Sequence, residues 1–441
     1  MLYFCRGASA PCCEDGVYQA PKGTQDVLPD DIGAWRYVEA ATHRLAGEFG
    51  FGEIRTPTFE ETALFLKGVG ETTDIAEKEM YSFVDKGGAH LTLRPEATAT
   101  LIRAYLQHGM HNRPQPVKLY TLINAFRHDQ PQAGRLREFH QWNCEGIGES
   151  DPLVDAELVT LLWRLLESVG LRDLSVQLNS IGDAACRPQF IQALTAYFEQ
   201  HQADLCADDR RRLRTNPLRL LDCKVPTCQP IIAAAPRSVD YLCAACDEHF
   251  AKLRGYLDDL DLPITLNPRL VRGLDYYTRT VFEVWPPTVG GQSTLGGGGR
   301  YDGLAELLGG KPTPGVGFAM GIERVILNLK AQQVAIPPLD APTAFAVHKG
   351  EAGKRMAWRL ADRLRQAHVS AVVAAGDRSL KAQMRQANTV GARWALICGP
   401  DEAESGTVQV KHLASGEEQR LSLDAAVQRL SAQPADTDSQ P

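Results

Sequence analysis

From residue 32 to 49 apolar side chains return every three or four positions (Ile32, Trp35, Val38, Leu45, Phe49). This spacing predicts an amphipathic helix, which Asp30 or Asp31 can cap. An extended stretch broken by Pro57 follows at 52–61. Residues 91–96 alternate like a strand end, and 97–107 read as a helix. Two further alternating runs, 117–123 and 137–145, flank a polar loop, 128–135, that contains Pro131 and Gly134. This is the pattern of a long antiparallel hairpin. Asp151 can cap a helix reaching Val169, with Leu153, Leu158, Leu161, Leu162 and Leu165 as its apolar stripe. A short strand at 175–179 precedes a mostly helical stretch to about 263. Strand signals return at 272–285, a glycine run occupies 296–299, and a last helix starts near 321.

The prolines of 332–342 mark an interdomain linker. Beyond it, strands at 343–347, 371–375, 394–398 and 407–410, with helices centred on Trp358 and Met384, predict a small α/β module over 343–430. The expected organisation is a core over 20–181 and 263–331 and a helical insertion over 182–262. An unstructured extension at 1–19 and a polar tail at 431–441 complete it.

Hydrophobic residues make up 44% and charged residues 23%, so the chain is neither disordered nor collagen-like. No apolar run is long enough to span a membrane. Eleven cysteines scattered without an apolar leader point to a reducing, cytoplasmic location. The net charge is −7, yet residues 341–430 hold 13 Lys and Arg against 9 Asp and Glu. A mildly basic module on an acidic body can dock a polyanion, although an ordinary solvated surface gives the same balance.

Arg127, Arg135, Arg272 and Arg324 all fall at predicted element ends in apolar or glycine-rich surroundings. Surface ion pairs would account for each singly, but guanidinium forks also suit phosphate and carboxylate oxygens. Glu96, Gln141 and Glu145 lie on the same predicted elements, and Gln141 and Glu145 share one face of a strand. Acids beside arginines suit a zwitterion, whose ammonium and carboxylate need opposite partners. The run Gly296–Gly299 lacks a following Gly-Lys-Ser/Thr and is not a phosphate-gripping P-loop.

These segments together resemble the histidyl-tRNA synthetases and, more broadly, the class II aminoacyl-tRNA synthetases. Pro21-Lys-Gly-Thr-Gln-Asp-Val-Leu-Pro29 looks like the family's N-terminal signature, and the stretch around Pro57 like the dimer-forming motif 1. Phe126 to Arg135 through Gln141 is similar to motif 2, and Gly317 to Arg324 to motif 3. Arg272-Gly-Leu-Asp-Tyr276-Tyr277-Thr-Arg-Thr-Val-Phe-Glu283 and Gly297-Gly-Gly-Arg-Tyr301-Asp resemble two histidine-specific blocks.

The resemblance implies an α+β fold: an antiparallel catalytic sheet, a helical insertion and an anticodon-binding α/β domain. It implies ATP and Mg²⁺ as reactants, L-histidine and its tRNA as substrates, and a homodimer. Arg272 and Arg127 are then catalytic, and Arg127 and Arg324 bind ATP. Glu96, Thr98, Gln141, Glu145, Tyr276, Tyr277 and Tyr301 hold histidine. Arg135 would touch the acceptor end of the tRNA. Arg378, Lys381 and Arg385, read as one face of a helix after Asp377, would touch its anticodon stem; a solvated face is the alternative.

A different implication would be a non-catalytic regulatory subunit of ATP phosphoribosyltransferase. Such paralogues lack the C-terminal domain and parts of the Arg272 block, both of which stand here. Within the insertion, Cys223, Cys228, Cys243 and Cys246 can be drawn as one structural zinc site. Ordinary thiols in a reducing cell are the preferred reading.

Overall fold

The computed structural model describes residues 18–70, 73, 75–287 and 294–432. The expected terminal extension and tail fall largely outside them. Two compact units divide the chain, 1–336 and 337–441.

The first unit is built on eleven strands: β1 (Gly52–Glu53), β2 (Phe59–Glu61), β3 (Tyr81–Val84), β4 (His90–Leu93), β5 (Val117–Phe126), β6 (Glu138–Ile147), β7 (Ser175–Ser180), β8 (Ile264–Leu266), β9 (Thr278–Trp285), β10 (Gly296–Arg300) and β11 (Gly315–Gly321). Eight of them form one sheet in the order β1-β5-β6-β11-β10-β9-β7-β8. All neighbours from β5 to β7 run antiparallel, and only the two edge pairs, β1 with β5 and β7 with β8, are parallel. The α+β class with an antiparallel core is therefore present. β5 and β6 are the expected hairpin, in register from Val117↔Ile147 to Phe126↔Glu138.

One face of the sheet is covered by the helices Ile32–Glu48, Pro152–Ser168 and Ile322–Ala331, which share its largest apolar cluster. Asp151 caps the second of these, its Oδ1 accepting Leu153 N at 2.8 Å. Two local expectations need correction. Asp31 sits at the first helix's N-cap but makes no capping hydrogen bond, and Leu153, on the first turn, is exposed rather than part of the stripe. A second sheet, β2-β4-β3, carries Phe59, Phe83 and Val84 exposed to solvent, with the two phenyl rings 6.4 Å apart.

Between β7 and β8 the chain makes a string of short helices with a core of their own, from Phe190 to Ala235. The helix Ala244–Asp258 does not join that core. Its Phe250, Leu253 and Leu257 pack into the main cluster. The insertion thus leaves the sheet at β7 and returns through a helix anchored in the main core.

The second unit has a five-stranded sheet ordered β13-β12-β14-β15-β16: β12 (Ala344–His348), β13 (Ala371–Val373), β14 (Trp394–Cys398), β15 (Thr407–His412) and β16 (Glu418–Ser422). The helices Gly350–Gln366 and Leu380–Thr389 fall where periodicity placed them. Arg378 does not belong to the latter helix, because Ser379 caps it from outside and its Oγ accepts Ala382 N. Lys381 and Arg385 are on the helix and exposed. No helix among the described residues is long and apolar enough to cross a membrane.

Candidate active site

A cavity of about 360 Å³ opens over the first unit's main sheet. On β6 the alternation of a strand puts Gln141, Asn143 and Glu145 on one face. Gln141 and Asn143 line the cavity, while Glu145 lies behind its wall. The neighbouring strands supply Gly296, Gly297, Phe318, Ala319 and Gly321. Their glycines permit close approach. A Cβ on Gly317 would strike the Glu145 carboxylate, and one on Gly298 would strike the Gly317 carbonyl oxygen.

Glu96 precedes the helix Thr98–Gln107 and accepts two amides of its first turn, Thr98 N at 2.7 Å and Ala99 N at 2.9 Å. Burial nevertheless raises its pKa, against the pull of those amides and of Arg127. Thr98 Oγ1 donates to Glu145 Oε1 at 2.8 Å, and Tyr301 Oη donates to Glu145 Oε2 at 2.6 Å. Burial pushes Glu145 up to about 8, with these two donors opposing it. The carboxyl sits against the tyrosine cluster. Tyr276 packs 4.6 Å from Tyr277 and 5.8 Å from Tyr301, measured between ring centroids.

The arginines are oriented by backbone oxygens and rings. Arg127 Nε donates to Pro95 O at 2.8 Å, and its guanidinium lies 5.3 Å from the Phe139 ring. Arg324, in the first turn of Ile322–Ala331, donates to Gly134 O at 3.0 Å and to Thr294 O at 2.9 Å. Burial lowers the pKa of both, and Arg324 is pushed further down by Arg135 and Arg127. Such mutual repulsion marks a region of positive potential suited to a polyanion. Arg272 pairs with Glu283 and lies 5.7 Å from the Tyr277 ring. Burial opposes its charge, yet Glu283 and the tyrosines hold its pKa above the ordinary value. Arg135 pairs with Asp129.

Three buried polar atoms on the cavity's lining residues have no hydrogen-bond partner among the described residues: Gln141 Oε1, Asn143 Nδ2 and Arg272 Nε. Each unsatisfied group costs about 1–3 kcal/mol. A ligand that supplied a donor to Gln141 and an acceptor to Arg272 would remove that cost at two of the three.

Of the residues expected from the sequence, Glu96, Thr98, Arg127, Arg135, Gln141, Arg272, Tyr276, Tyr277 and Arg324 line this one cavity. Glu145 and Tyr301 stand behind it, and Arg378, Lys381 and Arg385 belong to the other unit. Asn143, Glu283, Asp129, Asp222 and Glu323 line it too, without having been singled out. Asn143 was within reach, being midway between Gln141 and Glu145 on the same strand face. Glu283 follows the same logic, as the acid that ends the Arg272 block.

The four insertion cysteines do not form one cluster. Cys223 and Cys228 gather with Cys206 and Asp209, whereas Cys243 and Cys246 gather with Asp183 and Cys186. The reason is the packing. The first pair belongs to the insertion's own core, and the second opens the helix that returns to the main core.

Comparison with known proteins extends this picture. Residues 23–325 match the family model described as histidyl-tRNA synthetase, and residues 333–433 match the anticodon binding domain. A histidine–tRNA ligase of Dehalococcoides mccartyi is 50% identical over 411 residues, 93% of this chain and 98% of that protein. One from Pelotomaculum thermopropionicum is 49% identical over 93% of this chain and 96% of its own length. The crystal structure of apo S. aureus histidyl-tRNA synthetase superposes with a TM-score of 0.79 at 38% identity, covering 94% of this chain and all of that one.

Proposed function

The chain belongs to the histidyl-tRNA synthetase family, and from that membership we propose how its residues perform the joining of histidine to tRNA. The activity itself is a histidine–tRNA ligase. A regulatory subunit is not favoured, since relatives of half identity over nearly the whole length are ligases.

The carrying observation is a pair of atoms without partners among the described residues, an acceptor on Gln141 and a donor on Arg272, on residues lining one cavity. That is the complement of an amino acid zwitterion. In this reading Gln141, Glu96 and Thr98 hold the α-ammonium group and Arg272 holds the carboxylate. The imidazole ring lies among Tyr276, Tyr277 and Tyr301, with Glu145 behind them to fix its N–H. A site built from buried polar groups rejects an apolar analogue, which would leave those groups unpaired.

ATP is the proposed second substrate, its phosphates against Arg127 and Arg324. Arg127 is free to take them, because its Nη1 and Nη2 make no hydrogen bond among the described residues. Mg²⁺ favours oxygen ligands from one or two carboxylates together with phosphates. Asp129, Asp222, Glu283 and Glu323 on the cavity wall are donors of that kind. When bound, Mg²⁺ supplies charge neutralisation on the phosphates.

A carboxylate oxygen of histidine attacks the α-phosphorus, and the bond to pyrophosphate breaks. The hydroxyl of the tRNA's terminal adenosine then attacks the acyl carbon, and AMP leaves. Arg272 would lie against both the carboxylate and the α-phosphate, and so offset the charge that builds between them; its place on the cavity wall supports this role. Arg135 would meet the acceptor end, and Arg378, Lys381 and Arg385 the anticodon stem. None of the eight cysteines among the described residues forms a disulfide, in keeping with work in the cytoplasm. Pyrophosphate exchange with each of the twenty amino acids tests the reading. Only histidine should support it, and exchange with none, or equally with others, would refute it.

A homodimer is part of the proposal. Its support is the apolar group Phe59, Phe83 and Val84, exposed on the β2-β4-β3 sheet, of which Phe59 falls in the motif 1 stretch around Pro57. Sedimentation should give twice the 48.4 kDa chain mass, and Phe59→Asp should shift it toward monomer. A wild-type mass of one chain at all concentrations would exclude the dimer.

A further inference from the structure

We infer that the insertion binds two structural Zn²⁺ ions, one at Cys206, Asp209, Cys223 and Cys228 and one at Asp183, Cys186, Cys243 and Cys246. In each group four ligand atoms, three sulfurs and one carboxylate oxygen, lie within 4.8 Å of one another. A tetrahedron of Zn–S bonds of about 2.3 Å has edges of roughly 3.8 Å, so each set needs only a small contraction to close on one ion. Cys206 Sγ and Cys223 Sγ are already 4.0 Å apart.

The local geometry is that of a ligand loop rather than of scattered thiols. Asp183 and Cys186, Cys243 and Cys246, and Cys206 and Asp209 are each separated by two residues, the usual knuckle spacing. Backbone amides point at the sulfurs: Asp183 N at 3.4 Å from Cys186, Val225 N at 3.4 Å from Cys223, Asp209 N at 3.4 Å from Cys206, and Cys206 N at 3.3 Å from Cys228. Such donors stabilise thiolates and orient them toward a metal.

The carboxylates provide an independent observation. Asp209 is fully buried, and beyond the neighbouring Cys206 and Cys223 thiols its oxygens find no hydrogen-bond donor among the described residues. Arg212 Nη1, at 3.7 Å, is too distant for one. A fully buried carboxylate facing three thiols, with its arginine beyond hydrogen-bond range, is costly as it stands and is explained by a cation. At the other cluster Asp183 Oδ2 accepts from Arg279 Nη2 at 3.1 Å, while its Oδ1 accepts Ala185 N at 3.0 Å and is 3.6 Å from Cys186 Sγ. Each set of four anionic ligands thus has an arginine behind its carboxylate, which offsets the excess negative charge of a Cys₃Asp site.

Thiolates select Zn²⁺, Cu⁺ or iron–sulfur clusters over harder ions. One oxygen among three sulfurs, at single-ion spacing, favours Zn²⁺. The two ions would staple different parts of the insertion. The Asp183 site ties the end of β7 to the start of the Ala244–Asp258 helix, closing the insertion at its base. The Cys206 site fixes the loop in which Asp222, adjacent to Cys223, reaches the cavity wall, beside Arg135.

The test is the metal content of the full-length protein, purified without added metal or chelator and measured by inductively coupled plasma mass spectrometry. About two Zn²⁺ per chain are expected. Cys223→Ser and Cys246→Ser should each remove one, and Asp209→Asn should release the first at lower chelator concentration than wild type. Cobalt substitution should add thiolate-to-metal absorption bands that scale with both sites. Should a serine variant fail to fold, the wild-type stoichiometry and its cobalt spectrum still decide. Wild-type protein with no stoichiometric metal, or with disulfides between these cysteines on thiol counting, overturns the inference. One ion lost in only one of the two variants overturns the other site.

Discussion

Arg272→Ala is expected to lower pyrophosphate exchange by at least ~10²–10³-fold, the scale set by loss of one donor aimed at developing charge. Two contacts are at stake. The carboxylate contact exists before reaction, so its loss raises KM. The phosphate contact strengthens as charge builds on phosphorus, so its loss lowers kcat. The fold should survive, because Glu283 keeps Trp285 Nε1 and Thr294 Oγ1 as donors, each at 2.7 Å. Arg272→Lys should rescue poorly, since an ammonium cannot replace the planar fork that now pairs with Glu283 while lying over Tyr277. Transfer of histidine from preformed histidyl-adenylate should suffer less, the phosphorus chemistry being complete. Exchange within a few-fold of wild type, with circular dichroism unchanged, would remove Arg272 from the chemistry.

Ending the chain after Ile336 is expected to separate the two half-reactions. Ile336 packs against the main core, and the second unit begins at Pro337. Every residue assigned here to histidine and ATP is retained, so exchange should stay within a few-fold of the full-length enzyme. Charging of tRNA should fall by ~10²-fold or more, through lost binding to the nucleic acid backbone. The full-length enzyme should also show the steeper decline of tRNA affinity with salt, because it releases more counterions. Equal losses in both half-reactions in a folded truncated protein would show that the second unit serves more than tRNA binding.

What could be read before the structure was what depends on local pattern. The β5–β6 hairpin declares itself through two alternating runs and a polar turn, and the Pro152–Ser168 helix through Asp151 and its leucines. The strand β10 was harder, because Gly296–Gly299 offers no side-chain alternation. It becomes a strand through the neighbours whose backbones its glycines admit. β16 was missed for a related reason, since its residues are mostly exposed and polar. The cavity residues were legible as a set through long motifs, but their pairings were not. Nothing local brings Glu283 to Arg272 or Tyr301 to Glu145. The cysteines show the limit most sharply. Closeness in sequence suggested one quartet, whereas the decisive partners, Asp183, Cys186, Cys206 and Asp209, come from turns that only the folded insertion brings back.

The order of strands in the main sheet also governs when the pocket can exist during synthesis. β6 pairs with β11, and Glu145 stands opposite Gly317 across an intervening stretch that includes the whole insertion. A nascent chain that has left the ribosome as far as β7 holds the hairpin but exposes one long edge of it, with Gln141 and Asn143 uncovered. Closing so large a loop is slow, and an unpaired edge is prone to the wrong partner. The sheet cannot be completed until β11 and the helix Ile322–Ala331 emerge, and only residues from 332 onward then remain to follow. Enzymatic competence is therefore reached late, as nearly three quarters of the chain must be out before the site is whole, and chaperone demand should be greatest just before that point.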